Sequence, residues 1–195
     1  KKPFRIFQTN LREIDASLDV EQILDDLQGF EANAWLLNTG GIVSFFPSRL
    51  PYQHPSPWLA QRASGDLIGD AVAAAHRRGI RVISRFDFSK LHRDVYTAHP
   101  DWFFHNAQGK PQVYNDLYST CPSAPYNQEF SFHILAEVLE QYPIDGVFFN
   151  MFGFQSWDYS GNYHGICQCL HCRRRFEEQY NLPLPSAEDW NDPAW

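Results

Sequence analysis

"RVISRFDFSK", residues 81–90, reads as an apolar strand that runs into polar and charged residues at its C-terminal end. Upstream of it, Leu67, Ile68, Ala71, Val72 and Ala75 recur at helical spacing on one face, and Gly79 is a natural stop for that helix. Downstream lies a long loop rich in aromatics and histidine, "HPDWFFHNAQGKPQVYNDLYSTCPSAPY", residues 99–126. A strand that follows a helix directly and leaves into a long loop is half of a repeating unit, and the same unit recurs on both sides.

Towards the N-terminus, "FRIFQT" (4–9) is a first strand. Asp19 then caps a helix with Gln22 three residues on, and Val20, Ile23, Leu24 and Leu27 share its apolar stripe. "ANAWLLNTGG" (32–41) is a buried second strand, followed by an irregular stretch with prolines at 47, 51, 55 and 57. Towards the C-terminus, Asn127 is expected to cap a helix whose apolar face is Phe130, Ile134, Leu135, Val138 and Leu139, with Pro143 ending it. "DGVFFN" (145–150) is the fourth strand, and a cysteine-rich loop leads into a basic helix, "CRRRFEEQY" (172–180).

The order is therefore β-α-β-α-β-α-β-α, with strands mostly apolar on both faces. Parallel strands need crossover helices to return the chain, so this order predicts a parallel sheet covered by helices. Each long loop follows a strand, which places chemistry at the C-terminal edge of the sheet, as in a (β/α)8 TIM barrel. A complete barrel takes about 250 residues. With four βα units in residues 1–195, the expectation is a half barrel, the N-terminal half of a truncated one. A doubly wound open sheet is the alternative, against which stands the lack of a Gly-rich phosphate turn after the first strand.

Composition supplies a core: 44% of residues are hydrophobic, with 16 Phe, 9 Tyr and 6 Trp. Aromatics this dense also suit carbohydrate, because sugar rings pack their C–H faces on Trp and Tyr. The net charge of −7 argues against nucleic acid or an anionic membrane as the main partner. No apolar run approaches the roughly 20 residues that cross a bilayer, and "KKPFRIFQTN" lacks the apolar core of a signal peptide. A trimmed leader would leave no trace, so compartment stays open, with the cytoplasm as the expectation.

Cys167, Cys169 and Cys172 form C-x-C-x-x-C after strand four, and Cys121 lies on the loop after strand three. Adjacent parallel strands put those loops side by side, so four thiolates can converge on one tetrahedral site. Zinc is the ion expected there, and a closed shell of four sulfurs makes it structural, not catalytic. Two disulfides or four free thiols are the alternatives, and His171 is a possible substitute ligand. A nucleic-acid-binding finger is a poor fit, since a whole strand and helix separate the ligands.

These cysteines, with "CRRRF" after them, resemble those of glycoside hydrolase family 42 β-galactosidases, in which four cysteines at matching places bind zinc near the active-site face. "RFDFSK", "DGVFFNMFG" and "YHGICQCLHCRRRF" together resemble more closely the hypothetical glycosyl hydrolase 6 barrels, from about residue 4 to 185. The resemblance implies a glycosidase acting on carbohydrate, in complete form an O-glycosyl hydrolase and β-galactosidase-like if it follows family 42. One departure stands out: family 42 ends its fourth strand in Asn-Glu, the glutamate being the acid/base, where this chain has Asn150-Met151. A thioether cannot donate a proton. A carbohydrate-binding pseudoenzyme is therefore the alternative.

A glycosidase needs two carboxyl groups about the scissile bond. Asp87, ending strand three, is the catalytic candidate, with Arg85 on the same side of the sheet and Lys90 just beyond; its partner carboxylate is expected outside this chain. Asn150 and Asn38, at the ends of strands four and two, are candidates for sugar hydroxyls, and Trp157, Asp158 and His164 in the cysteine-side loop for further substrate contacts, Trp157 by stacking. Asp145 opens its strand at the opposite edge and is expected to be structural, and Arg173–Arg175 with Glu177 and Glu178 to form a solvated helix face. Half a barrel leaves interior apolar surface for a second copy or a missing C-terminal half to cover.

Overall fold

A computed structural model describes residues 3–189 and 191. Its elements run β1 (Ile6–Gln8), α1 (Val20–Gly29), β2 (Ala34–Gly41), α2 (Leu67–Arg77), β3 (Arg81–Asp87), β4 (Lys90–Leu91) and α3 (Arg93–Ala98). They continue with β5 (Val113–Tyr114), β6 (Leu117–Ser119), α4 (Ser131–Gln141), β7 (Gly146–Asn150) and α5 (Leu170–Tyr180). The chain divides into two compact units: residues up to Asp87 with His133–Asn150, and Phe88–Phe132 with the residues from Met151 onward.

The first unit holds the parallel sheet, in the order β1-β2-β3-β7. Three of its devices were readable in the sequence. Asp19 does cap α1, its carboxylate accepting from the amides of Glu21 and Gln22. The α2 stripe is buried throughout, each large side chain contributing about 1.5–3 kcal/mol. Gly79 takes the left-handed conformation at φ +69° that ends α2. On β3, Val82, Ser84 and Phe86 are buried, whereas Ile83, Arg85 and Asp87 are only half-buried. The strand thus has one covered and one open face, where the sequence suggested burial on both. The edge strands are more open still, and Ile6, Phe7, Val147, Phe148 and Phe149 are all exposed.

The second unit corrects the expectation of a plain loop after strand three. It contains α3 and a small antiparallel sheet, in the order β4-β6-β5. Asn115 and Asp116 both have positive φ, 51° and 59°, the conformation of a tight hairpin turn between β5 and β6. Asn127 does not cap α4. It lies in a widened turn, Tyr126–Phe130, that precedes the helix, and its side chain donates to Thr120 Oγ1 and the Cys121 carbonyl. Leu139, assigned to the apolar face of that helix, is 58% exposed. Among the described residues, no helix is long and apolar enough to cross a membrane.

Asp145 is structural, as its place at the N-terminal edge implies. Its Oδ2 accepts from the Val82 amide and contacts His76 Nε2, each at 2.8 Å. Partial burial works to raise its pKa, but the Val82 amide and His76, aided by Arg81, outweigh that and hold it below the usual value. A carboxylate depressed on folding contributes stability above its unfolded pKa of about 4, and that contribution is lost as pH falls through the folded value. Asp145→Asn should therefore cost about 1 kcal/mol at neutral pH, the gap from the parent narrowing below about pH 4. Melting curves at pH 7 and pH 3 check this; a gap independent of pH would count against it.

Candidate functional site

The first unit gathers polar side chains at the C-terminal ends of β2, β3 and β7. Asp87 is in register with Gly41 on one side and Asn150 on the other, and Asn150 Nδ2 donates to Asp87 Oδ2 at 2.8 Å. Two residues earlier, Arg85 is in register with Asn38 and Phe148, so these side chains share the open face one row below. Asn38 Oδ1 accepts from the Leu11 amide at 3.3 Å. Arg85 makes no ion pair with Asp87; its Nε is enclosed without an acceptor.

Backbone contact fixes the position of Asp87. The β2–β3 register slips between Asn38 and Gly40, which pushes the end of β2 against β3. At Gly41, with φ +112°, an added Cβ would lie 2.0 Å from the Asp87 carbonyl oxygen, and only glycine permits that approach. Buried Gln53 clasps Gly41 from the other side, accepting from its amide at 3.2 Å and donating to its carbonyl at 2.8 Å. The glycine pair in "NTGG" was a visible signal for this close approach; Gln53, in a proline-rich stretch, offered none.

In the second unit the four cysteines do converge. The Sγ atoms of Cys121, Cys167, Cys169 and Cys172 all lie within 4.8 Å of one another, every one of them buried. The Cys121–Cys172 and Cys121–Cys169 sulfurs, 3.3 Å and 3.5 Å apart, are far beyond disulfide length, and all four cysteines are free. Four thiolates around a zinc ion at about 2.3 Å would stand about 3.8 Å apart, so the group fits a tetrahedral metal. Cys169 is held towards the thiolate by hydrogen bonds from Cys121, Cys167 and Cys172, and Cys121 is pushed the other way by hydrogen bonds to Cys167, Cys169 and Cys172 and by burial. His171 contacts Asp101 instead of the sulfurs. A strap at residues 185–186 holds the cysteine loop: Ser186 O accepts from the Ile166 amide and Pro185 O from Gln168 Nε2.

Trp157, Asp158 and His164 form a separate group in this unit. Asp158 accepts from the amides of Ser160 and Asn162, from Asn162 Nδ2, and contacts His164 Nε2 at 3.0 Å. The Asn162 side chain, then His164 and those amides, hold its carboxyl far below the usual range. Asp158 and His164 are thus engaged in shaping their loop, while Trp157 is 62% exposed and packs on Tyr163 at 4.9 Å. Tyr159, also exposed, lies under Lys90 Nζ at 5.4 Å and donates to Met151 Sδ at 3.6 Å. Met151 itself is in the left-handed region, φ +51°, a strained conformation for a long side chain.

Fold and site together define a mixed α/β protein whose parallel sheet presents a carboxylate–amide pair at its C-terminal edge. The chain belongs to the family described as hypothetical glycosyl hydrolase 6, whose model matches residues 19–151. Solved structures share the fold at low identity. An α-L-fucosidase isoenzyme 2 from Paenibacillus thiaminolyticus is 18% identical with a TM-score of 0.66, over 91% of this chain and 26% of that one. A noncanonic maltogenic α-amylase from Thermotoga neapolitana is 17% identical with a TM-score of 0.55, over 77% and 39%. An α-galactosidase from Lactobacillus brevis is 15% identical with a TM-score of 0.51, over 75% and 20%. The chain thus spans about a quarter of the fucosidase's length. Among curated proteins nothing matches it.

The scaffold carries its own prediction. Gly41→Ala should cost about 3 kcal/mol or more, since it combines positive φ with a backbone clash. A melting curve matching the parent's would remove Gly41 from its role in holding Asp87.

Proposed function

We propose that this chain is the N-terminal half of a (β/α)8 barrel that hydrolyses glycosidic bonds, working at the C-terminal edge of its sheet. One observation carries the reading: in a glycosyl hydrolase family chain, the Asp87 carboxylate stands on the open face with Asn150 as hydrogen-bond donor. The exposed apolar residues of both edge strands support the half barrel, because four more strands, from further polypeptide or a second copy, would cover them. Kinship with family 42 β-galactosidases is part of this proposal and rests on the cysteine pattern.

In this reading Asp87 is the catalytic carboxylate, and its partner comes from the other half of the barrel. Asn150 holds the Asp87 carboxylate in place through Oδ2, and its own Oδ1 accepts from a sugar hydroxyl. Asn38 and Arg85 donate to the same sugar; in the second unit, taken by itself, Trp157 has an exposed ring suited to stacking a sugar. Asp158 and His164 serve by keeping that loop in shape. Zinc is the metal proposed for the four cysteines, since it takes four thiolates in a closed tetrahedron and would pin the cysteine loop to the Cys121 segment. The second reading, a sugar-binding protein without turnover, is favoured by Met151 alone, where family 42 has its acid.

Aryl glycosides offered to the full-length protein separate the two, galactosides among them. Asp87→Asn should lower kcat by at least about 100-fold with the melting temperature kept; unchanged turnover would eliminate Asp87, and binding without turnover would favour the second reading. Elemental analysis should find one zinc per chain. A chelator should lower the melting temperature, and Cys172→Ser should abolish both the metal and that response; metal-free protein of full stability would defeat the zinc assignment.

A further inference from the structure

The open face of the sheet has two rows of opposite hydrogen-bonding character. The Asp87 row presents acceptors: the carboxylate itself, and Asn150 Oδ1 once the amide nitrogen has donated to Asp87. The Arg85 row presents donors: the guanidinium, and Asn38 Nδ2 once Oδ1 has accepted from Leu11. The exposed ring of Phe148 bounds that row on β7. A ligand complementary to both rows carries hydroxyls above and an acceptor-rich group below.

Arg85 stands out among the half-buried arginines of this unit. Arg62 collects Asp70 and the carbonyls of Ala16 and Leu18; Arg78 collects Glu21, Asp25 and Gln28. Arg85 has an enclosed Nε and no hydrogen bond or ion pair with any described residue. Keeping a cation partly out of water with no acceptor is costly, so its counterpart arrives from elsewhere. Its terminal nitrogens remain reachable from the open face and form a planar fork, which matches a carboxylate in bidentate fashion. A single positive charge balances a single negative one. The nearby Asp87 carboxylate disfavours a doubly charged group such as a phosphate monoester.

We infer that Arg85 is a subsite for a carboxylate borne by the sugar itself, so that the substrate class is a glycoside containing a uronic acid. This rests on the reading of the open sheet face as the sugar site. The carboxylate lies on Arg85 with Asn38 beside it, and the ring hydroxyls meet Asp87 and Asn150 above.

Calorimetric titration of the full-length protein tests this with uronic acid oligosaccharides, their neutral counterparts and sulfated ones. The uronic set should bind about 10- to 100-fold more tightly than the neutral set. Arg85→Gln should erase that preference, lowering uronic binding far more than neutral binding, and Arg85→Lys should keep part of it. Tighter binding of neutral or sulfated sugars, or an equal loss for all three in the Gln variant, overturns the inference and leaves the glycosidase reading standing. Binding of none overturns both. If the Gln variant fails to fold, the parent's own preference decides: with none, the guanidinium belongs to an acidic side chain that completes the sheet, and the inference falls.

Discussion

Two parallel strands cannot be joined by a tight turn, and that constraint arranges everything else in this chain. Each return runs through a helix, so α1 and α2 bury one face of the sheet and leave the other half open. Each departure leaves from the C-terminal edge, where polar residues collect: Asn38, Asp87 and Asn150 all close their strands or nearly so. The close approach at Gly41, where an added Cβ would lie 2.0 Å from the Asp87 carbonyl oxygen, makes the arrangement strict, because it ties the end of β2 to the backbone that carries Asp87. Main-chain contact thus sets the position of this edge, and the Asn150 amide adds a side-chain hydrogen bond to Asp87.

Much of this was legible from residue order. Helical stripes, the Asp19 cap, the Gly79 stop and the polar strand ends all gave local signals that agree with the sheet they build. The convergence of the four cysteines also followed from topology, since loops after adjacent parallel strands are neighbours. Other features had weaker signals. Residues 99–126 read as a loop because their strands are only two or three residues long, too short for a period of two to register. The Asn115–Asp116 turn was the clue. Asn127 looked like a cap because its type caps helices, yet its amide is used on Thr120 and Cys121.

The candidate site divides along the same line. Sequence places a residue on a strand end, so Asp87, Asn150, Arg85 and Asn38 were found together. It says little about how a loop spends its polar groups, and Asp158 shows the difference. Its carboxylate is saturated by its own loop, with His164 as one of the partners. Asp87 and Asp158 are the same residue type with different duties: one is aimed by a neighbouring strand, the other organises the segment that presents Trp157.

The cysteine cluster has a consequence for how the chain matures on the ribosome. Cys121 is made first, and its contact Cys172 comes 51 residues later, after α4 and β7 have been synthesised. Until Cys167 is made, one thiol waits without the other three, and the set of four is complete only at Cys172. Growth of the polypeptide through residue 172 thus acts as a checkpoint: a nascent chain halted before it has the strands of its sheet but cannot close the knot of sulfurs.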